Sequence, residues 1–257
     1  MRLLEYNIGE GVRAFSTKRD GGIGSGTYAG FNITHYCGDD EQAVAHARAL
    51  LCQELNIDIS RLFLPRQTHG SEVLRIDNDF LSSDIELQDE LLYGKDAVIT
   101  DVPGLCIGVS TADCVPILLY DSLKRVVAAV HAGWRGTLSR IVEKCLETMI
   151  ECYGSSPSDI KAIIGPSISL QAFEVGEEVY DAFAKDTFPM QQIACRMDDK
   201  WHIDLWEANR LQLLGCGIAD NSVVICGICT YTQYAEFFSA RRLGIESGRI
   251  FNGIILE

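Results

Sequence analysis

Between Cys106 and Thr137 the chain reads CIGVSTADCVPILLYDSLKRVVAAVHAGWRGT, and this stretch limits the fold more than any other. Three short apolar runs, at 106–109, 115–119 and 126–130, are too short for independent helices and rich in β-formers. The expected order is strand, tight turn, strand, hairpin, strand, then a glycine-rich loop opening a helix. Cys114 stands just before the second run, after the polar corner Ser110-Thr111-Ala112-Asp113. His131 directly follows the third. Two metal-ligating side chains therefore lie at strand ends, where separate strands can bring them together. Strand ends are also where α/β proteins place their chemistry.

The loop Ala132-Gly133-Trp134-Arg135-Gly136-Thr137 leads into Leu138, Ile141, Val142, Cys145, Leu146, Met149 and Ile150, which recur at helical spacing. Thr137 or Ser139 is the expected N-cap and Gly154 the stop. A helix N-terminus preceded by two glycines and an arginine is suited to an anion. The same glycines also suit a plain tight turn, and the pattern leaves both readings open.

A chain of 257 residues can bury a sizeable core, and 47% hydrophobic with 23% charged residues is ordinary for a globular protein. The net charge of −14 argues against a nucleic-acid backbone or an anionic membrane as partner. An anionic substrate would have to be held locally, by a few placed arginines. No apolar run is long enough to span a bilayer, and MRLLEYNIGEG lacks a signal-peptide core, so a cytoplasmic setting is expected. The ten cysteines then read as reduced thiols, with Cys106, Cys145, Cys216 and Cys226 in apolar runs.

Along the rest of the chain, strands are expected at 12–17, 31–33, 71–76, 96–100, 160–164 and 250–256, with a late buried strand at 223–226. Helices are expected after Gly38-Asp39-Asp40, from Phe173 through Phe183, and from Leu205 to a stop at Gly215. The glycine-rich segment 21–26 lacks P-loop spacing and reads as a loop near the site. Residues 78–92 read as an acidic surface excursion. His35 and His46 read as loop and helix-surface residues. No linker or repeat divides the chain, so one mixed α/β domain over 1–257 is the economical organisation.

His69, at the end of LFLPRQTHG, joins Cys114 and His131 as the most specific constellation. Two imidazoles and a thiolate suit Zn²⁺ with a fourth position open to water or substrate, the pattern of a catalytic site. Against it stands the wide separation of the three in sequence. The same residues without metal would make a cysteine hydrolase or amidase, with Cys114 as nucleophile and a histidine as base. Asp113, beside a ligand, is the candidate for orienting it or carrying a proton; its plainer reading is a turn cap. Cys226-Gly227-Ile228-Cys229 lacks the context of a metal or redox motif, and buried thiols suffice.

GVSTADCVPILLYD, VVAAVHAGWRGT and the upstream RQTHG resemble the laccase-domain, or polyphenol oxidase-like, family, and the likeness runs on through IGPSI, FEVGEEV, HIDLWEANRLQLL and FFSARR. Members of that family are described as zinc-dependent purine nucleoside phosphorylases, some as peptidoglycan editing factors. The resemblance implies one zinc per chain on His69, Cys114 and His131. It implies phosphorolysis of adenosine, inosine and methylthioadenosine, with adenosine deamination as a second activity. Arg66, Gln67, Arg135 and Arg242 are the candidates for substrate and phosphate. The implied fold packs mixed β-sheets together with flanking helices and is related to a toxin deamidase that uses a Cys-His pair. Small-molecule nucleoside and phosphate are the implied partners of a monomer or weak homo-oligomer, and editing of a cell-wall precursor is the alternative substrate class. Two positions depart from the family pattern: Ser167 stands where cysteine is common, and Ala240 where tyrosine is. Copper fits poorly, since a blue-copper site plus a trinuclear cluster needs many more imidazoles than five histidines supply.

Overall fold

All three central apolar runs become strands, Cys106–Thr111, Val115–Asp121 and Val126–Ala132, with every residue of each buried. Burial on both faces is why they read as unbroken apolar runs and not as alternating ones. The computed structural model describes residues 1–257 and places these strands in two different sheets. Val115–Asp121 and Val126–Ala132 pair antiparallel at the centre of a six-stranded sheet, with Pro116 opposite His131. Ile160–Ile164 and Val223–Ile225 lie on one side of that pair, Lys95–Thr100 and Glu72–Arg75 on the other. Cys106–Thr111 belongs instead to a five-stranded sheet, ordered Leu3–Tyr6, Val12–Thr17, Ile250–Leu256, Cys106–Thr111, Leu62–Phe63. The corner Ser110 to Asp113 therefore carries the chain from one sheet to the other and closes no hairpin.

Alternation along the strands decides the packing. Leu118, Tyr120, Val127 and Ala129 meet Ile107, Val109 and Ile254 between the two sheets. Their neighbours Ile117, Leu119, Ala128 and Val130 face the opposite way, onto helix Ile141–Tyr153 through Val142, Cys145, Leu146 and Met149, and onto Ala208 and Leu213 of helix Leu205–Gly215. Helix Glu41–Leu55 covers the outer face of the five-stranded sheet, with Ala47 and Leu51 against Phe15, Cys106 and Phe251. At about 1.5–3 kcal/mol for each fully buried large aliphatic or aromatic side chain, these three layers supply the main cohesion.

Several elements differ from expectation, each for a local reason. Residues 31–33 form no strand, because the Asn32 side chain takes the backbone N–H of Thr34 and Arg249 in place of a ladder. The excursion at 78–92 holds two short helices, Asn78–Ser82 and Ile85–Leu92, N-capped by Asp77, just before it, and by Asp84. Val223–Ile225 is an edge strand with Val224 half exposed, not a buried one. At 173–179 a two-residue strand, Glu174–Val175, precedes a helix that begins only at Glu177.

The helix expected from Thr137 or Ser139 is broken in two, Trp134–Leu138 and Ile141–Tyr153, by Arg140 in a left-handed conformation (φ 60°). Asn209 binds the Thr137 hydroxyl and Gln212 its carbonyl, which ends the first turn. Gly154 stops the second helix as expected, while Ile150 points outward. Leu3–Tyr6 and the hairpin Ala194–Met197/Lys200–Ile203 were not foreseen. The hairpin turns on Asp198 and Asp199, both at positive φ, as a type I′ turn demands. No helix is long and apolar enough to cross a membrane.

Candidate metal centre

His69, Cys114 and His131 converge, with one ligand atom from each lying within 4.8 Å of the others. His131 closes the strand pair at the end where Val115 faces Ala132, and Cys114 precedes Val115 directly. His69 comes from the loop before Glu72–Arg75 and stands at φ 61°. The two imidazole rings meet edge to face, with centroids 4.9 Å apart.

A carboxylate that sequence reasoning passed over holds this geometry. Asp96, fully buried, bonds His131 Nδ1 through Oδ1 at 2.7 Å. It also accepts the backbone N–H of Thr68 at 3.2 Å, His69 at 3.0 Å and Gly70 at 2.8 Å. Burial pushes the Asp96 carboxyl up, but the His131 bond and charge and the loop N–H groups hold it below the ordinary carboxylate range. An ionised Asp96 makes His131 Nδ1 the donor, so Nε2 is left to bind a metal. One side chain thus sets the tautomer of one ligand and the loop of another. The only sequence signal was a charge at the head of the apolar run Ala97-Val98-Ile99.

Burial pushes the Cys114 thiol up, and the charge and hydrogen bonds of His131, then of His69, more than reverse this, bringing it to about 6. Burial pushes His131 down, and Cys114 and Asp96 carry it up to about 9. The pair is a thiolate beside an imidazolium, ready to exchange a proton for a cation. The donors fit a zinc-like ion: two imidazoles and a thiolate crowd one point, and no fourth protein ligand joins them. Gly133 makes room, since a Cβ there would sit 2.9 Å from Cys114 Sγ and 3.2 Å from His69 Cδ2.

The ligands open onto a cavity also lined by Tyr36, Cys37, Gln67, Ser110, Thr111, Ala112, Ala240, Ile245 and Arg249. Gln67 is locked to the edge of Cys106–Thr111: Oε1 accepts from Ser110 N at 2.7 Å and Nε2 donates to Ser110 O at 2.9 Å. The amide continues the pairing that Leu62–Phe63 began. Tyr36 Oη lies 3.0 Å from Ser110 Oγ and 2.9 Å from Pro65 O. Burial outweighs the opposing hydrogen bonds and pushes its phenol up to about 12, so it stays a neutral hydroxyl.

The other expected site residues lie elsewhere. Asp113, at φ 88°, points away from the ligands and accepts from Thr230 Oγ1 and Arg241 N, each at 2.6 Å. Arg66, Arg135 and Arg242 are exposed and do not line the cavity. Their guanidinium groups lie over Tyr93 at 5.4 Å, Trp134 at 4.3 Å, and Tyr231 and Tyr234 at 5.4 and 4.8 Å. The glycines of the Gly133–Gly136 loop serve close packing, with a Gly136 Cβ only 3.3 Å from two carbonyl oxygens. None of residues 21–26 lines the cavity. Of the two departures from the family pattern, Ser167 is buried and accepts from Trp206 Nε1 at 2.6 Å, whereas Ala240 lines the cavity. Cys226 and Cys229 are free and stand outside the ligand cluster; Cys229 Sγ accepts from Ser169 N.

Known proteins share this architecture. Residues 13–257 match the family model described as multi-copper polyphenol oxidoreductase laccase. A Bacteroides thetaiotaomicron protein named purine nucleoside phosphorylase is 49% identical over 96% of this chain and 92% of its own. A prokaryotic protein named adenosine deaminase RL5 is 46% identical over 95% of this chain and 94% of its own. The crystal structure of the hypothetical protein YfiH from Bacillus licheniformis superposes with a TM-score of 0.89 at 28% identity, covering 96% of this chain and 93% of that one.

Proposed function

We propose that this chain, which belongs to the family described as multi-copper polyphenol oxidoreductase laccase, is a zinc-dependent purine nucleoside phosphorylase that also deaminates adenosine. The observation that carries the reading is the three-donor cluster among the residues that line a cavity. Relatives named for each activity, matched over nearly the whole chain, support the substrate class. Zinc is preferred to copper because the cluster has three ligands and the chain five histidines, far short of a multicopper oxidase.

Phosphorolysis forms a bond from a phosphate oxygen to C1′ of the nucleoside while the C1′–N9 bond breaks. The electron pair leaves with the purine, which takes up a proton. A bound zinc supplies Lewis acidity, or an activated water for deamination. The chain's own residues supply position. Asp96 fixes His131 and the His69 loop, and Gln67 and Ser110 present a rigid polar wall. Tyr36 adds a neutral hydroxyl at the same wall. The reading brings nucleoside and phosphate as the partners of a cytoplasmic monomer or weak homo-oligomer.

The test is base release from adenosine, inosine and methylthioadenosine by zinc-loaded protein, with and without phosphate. Phosphate-dependent release of the base and ribose 1-phosphate is expected. No release from any of the three would defeat the reading.

A further inference from the structure

A phosphorolytic cavity must hold a phosphate, and none of the arginines singled out from the sequence reaches it. Arg249 does: it is the one lysine or arginine among the residues that line the cavity. Resting on the phosphorylase reading, we propose that Arg249 is the oxyanion-binding residue of this site and receives the phosphate.

Arg249 immediately precedes strand Ile250–Leu256, whose Ile250 pairs with Thr111 at the end of Cys106–Thr111. Thr111 lines the cavity and stands three residues before Cys114. The backbone N–H of Arg249 is anchored on Asn32 Oδ1, so the start of its side chain is set by the sheet.

A donor count separates a structural arginine from a binding one. The guanidinium carries five N–H groups. Nη1 donates to Ser247 O at 2.5 Å and Gly248 O at 3.1 Å, with Ser247 Oγ 3.3 Å away, and Nη2 donates to Ile245 O at 2.9 Å. Nε has no protein acceptor, and one N–H of Nη2 remains. Two donors are the number a bidentate oxyanion takes. Every partner is a neutral oxygen, so the positive charge is oriented without being cancelled. That charge is felt in the cavity: burial raises the Tyr36 phenol, and Arg249 is among the groups that oppose the rise. In a protein of net charge −14, a local cation of this kind is what an anionic substrate requires.

The same contacts make Arg249 a brace for residues 245–248, so the experiment has to tell brace from binder. Phosphate titrations of inosine cleavage would be run on Arg249→Lys and Arg249→Gln, beside adenosine deamination, which consumes no phosphate. The expected result is a phosphate KM raised roughly tenfold to a hundredfold in Arg249→Gln and less in Arg249→Lys. At limiting phosphate, inosine cleavage should fall much further than deamination does. Phosphate should also raise the melting temperature of the parent protein and not of Arg249→Gln, a readout that needs no turnover. An unchanged phosphate KM in both variants overturns the assignment, as does loss of deamination in step with phosphorolysis, which marks a brace alone. If the parent cleaves no nucleoside while phosphate still stabilises it through Arg249, the phosphorylase reading falls and the oxyanion site stands.

Discussion

Asp96 and Asp113 are both buried, both sit beside a turn that delivers a metal ligand, and do different work. Asp113 is the sequence neighbour of Cys114, yet its carboxylate holds the corner between the sheets to Thr230 and the backbone of Arg241. Asp96 is remote in sequence from every ligand, yet it bonds the His131 ring and the backbone of the His69 loop. Proximity along the chain pointed to Asp113, whereas the carboxylate that bonds a ligand ring is Asp96. The region around Asp113 is a joint, and the region around Asp96 is the support of the metal centre. The lesson is that a ligand's partner is chosen by strand packing, and adjacency in sequence says little about it.

The contrast is open to direct attack. The largest effect belongs to the ligands themselves: Cys114→Ala and His131→Ala are each expected to lose bound zinc and nucleoside cleavage together while melting cooperatively. Elemental analysis of both variants checks this, and full zinc content in either would remove that ligand. Next, Asp96→Asn should weaken zinc binding by roughly 10–100-fold. Asp113→Asn should leave zinc affinity near the parent value and lower stability by about 1–3 kcal/mol. Competition with a chromophoric chelator, beside thermal melting, measures both, and the reverse pattern would swap the two roles.

Proton release sharpens the comparison further. Metal needs Cys114 as thiolate and His131 neutral. With the thiol lowered to about 6 and the imidazole raised to about 9, the pair holds one proton between those values. Zinc binding there should expel one proton from this pair, so affinity climbs as pH rises toward 9. Below 6 a second proton must leave, and the dependence steepens. Calorimetry in buffers of different ionisation enthalpy reads the count, and no proton release near neutral pH would contradict the thiolate–imidazolium pair. The smallest effect is expected at Arg135→Ala: exposed and stacked on Trp134, it should change stability by about 0.5 kcal/mol or less and leave the phosphate KM near the parent value. Phosphate titration checks this, and a rise matching that of Arg249→Gln would return Arg135 to the anion site.

Much of the architecture was legible because the physics that builds it is local. Residues 115–119 and 126–130 had to be strands, and polar ligands at the ends of apolar runs stood out. His69, Cys114 and His131, singled out that way, converge in the structure. The change of sheet at Ser110 to Asp113 was not legible, since a tight turn and a sheet crossing carry the same polar residues. Nor was the helix break at Arg140, which depends on Asn209 and Gln212 reaching back to Thr137. Arg249 escaped notice for the same reason: its place in the cavity follows from the register of Ile250 against Thr111, a pairing between residues far apart in the chain.

The central claim is that the His69–Cys114–His131 cluster holds the metal on which nucleoside cleavage depends. Metal content and phosphate-dependent inosine cleavage should be measured on one sample, as purified, after chelation, and after zinc is restored. About one zinc per chain is expected, with activity lost on stripping and regained in proportion to the zinc returned. Full turnover by the metal-free protein would contradict the account.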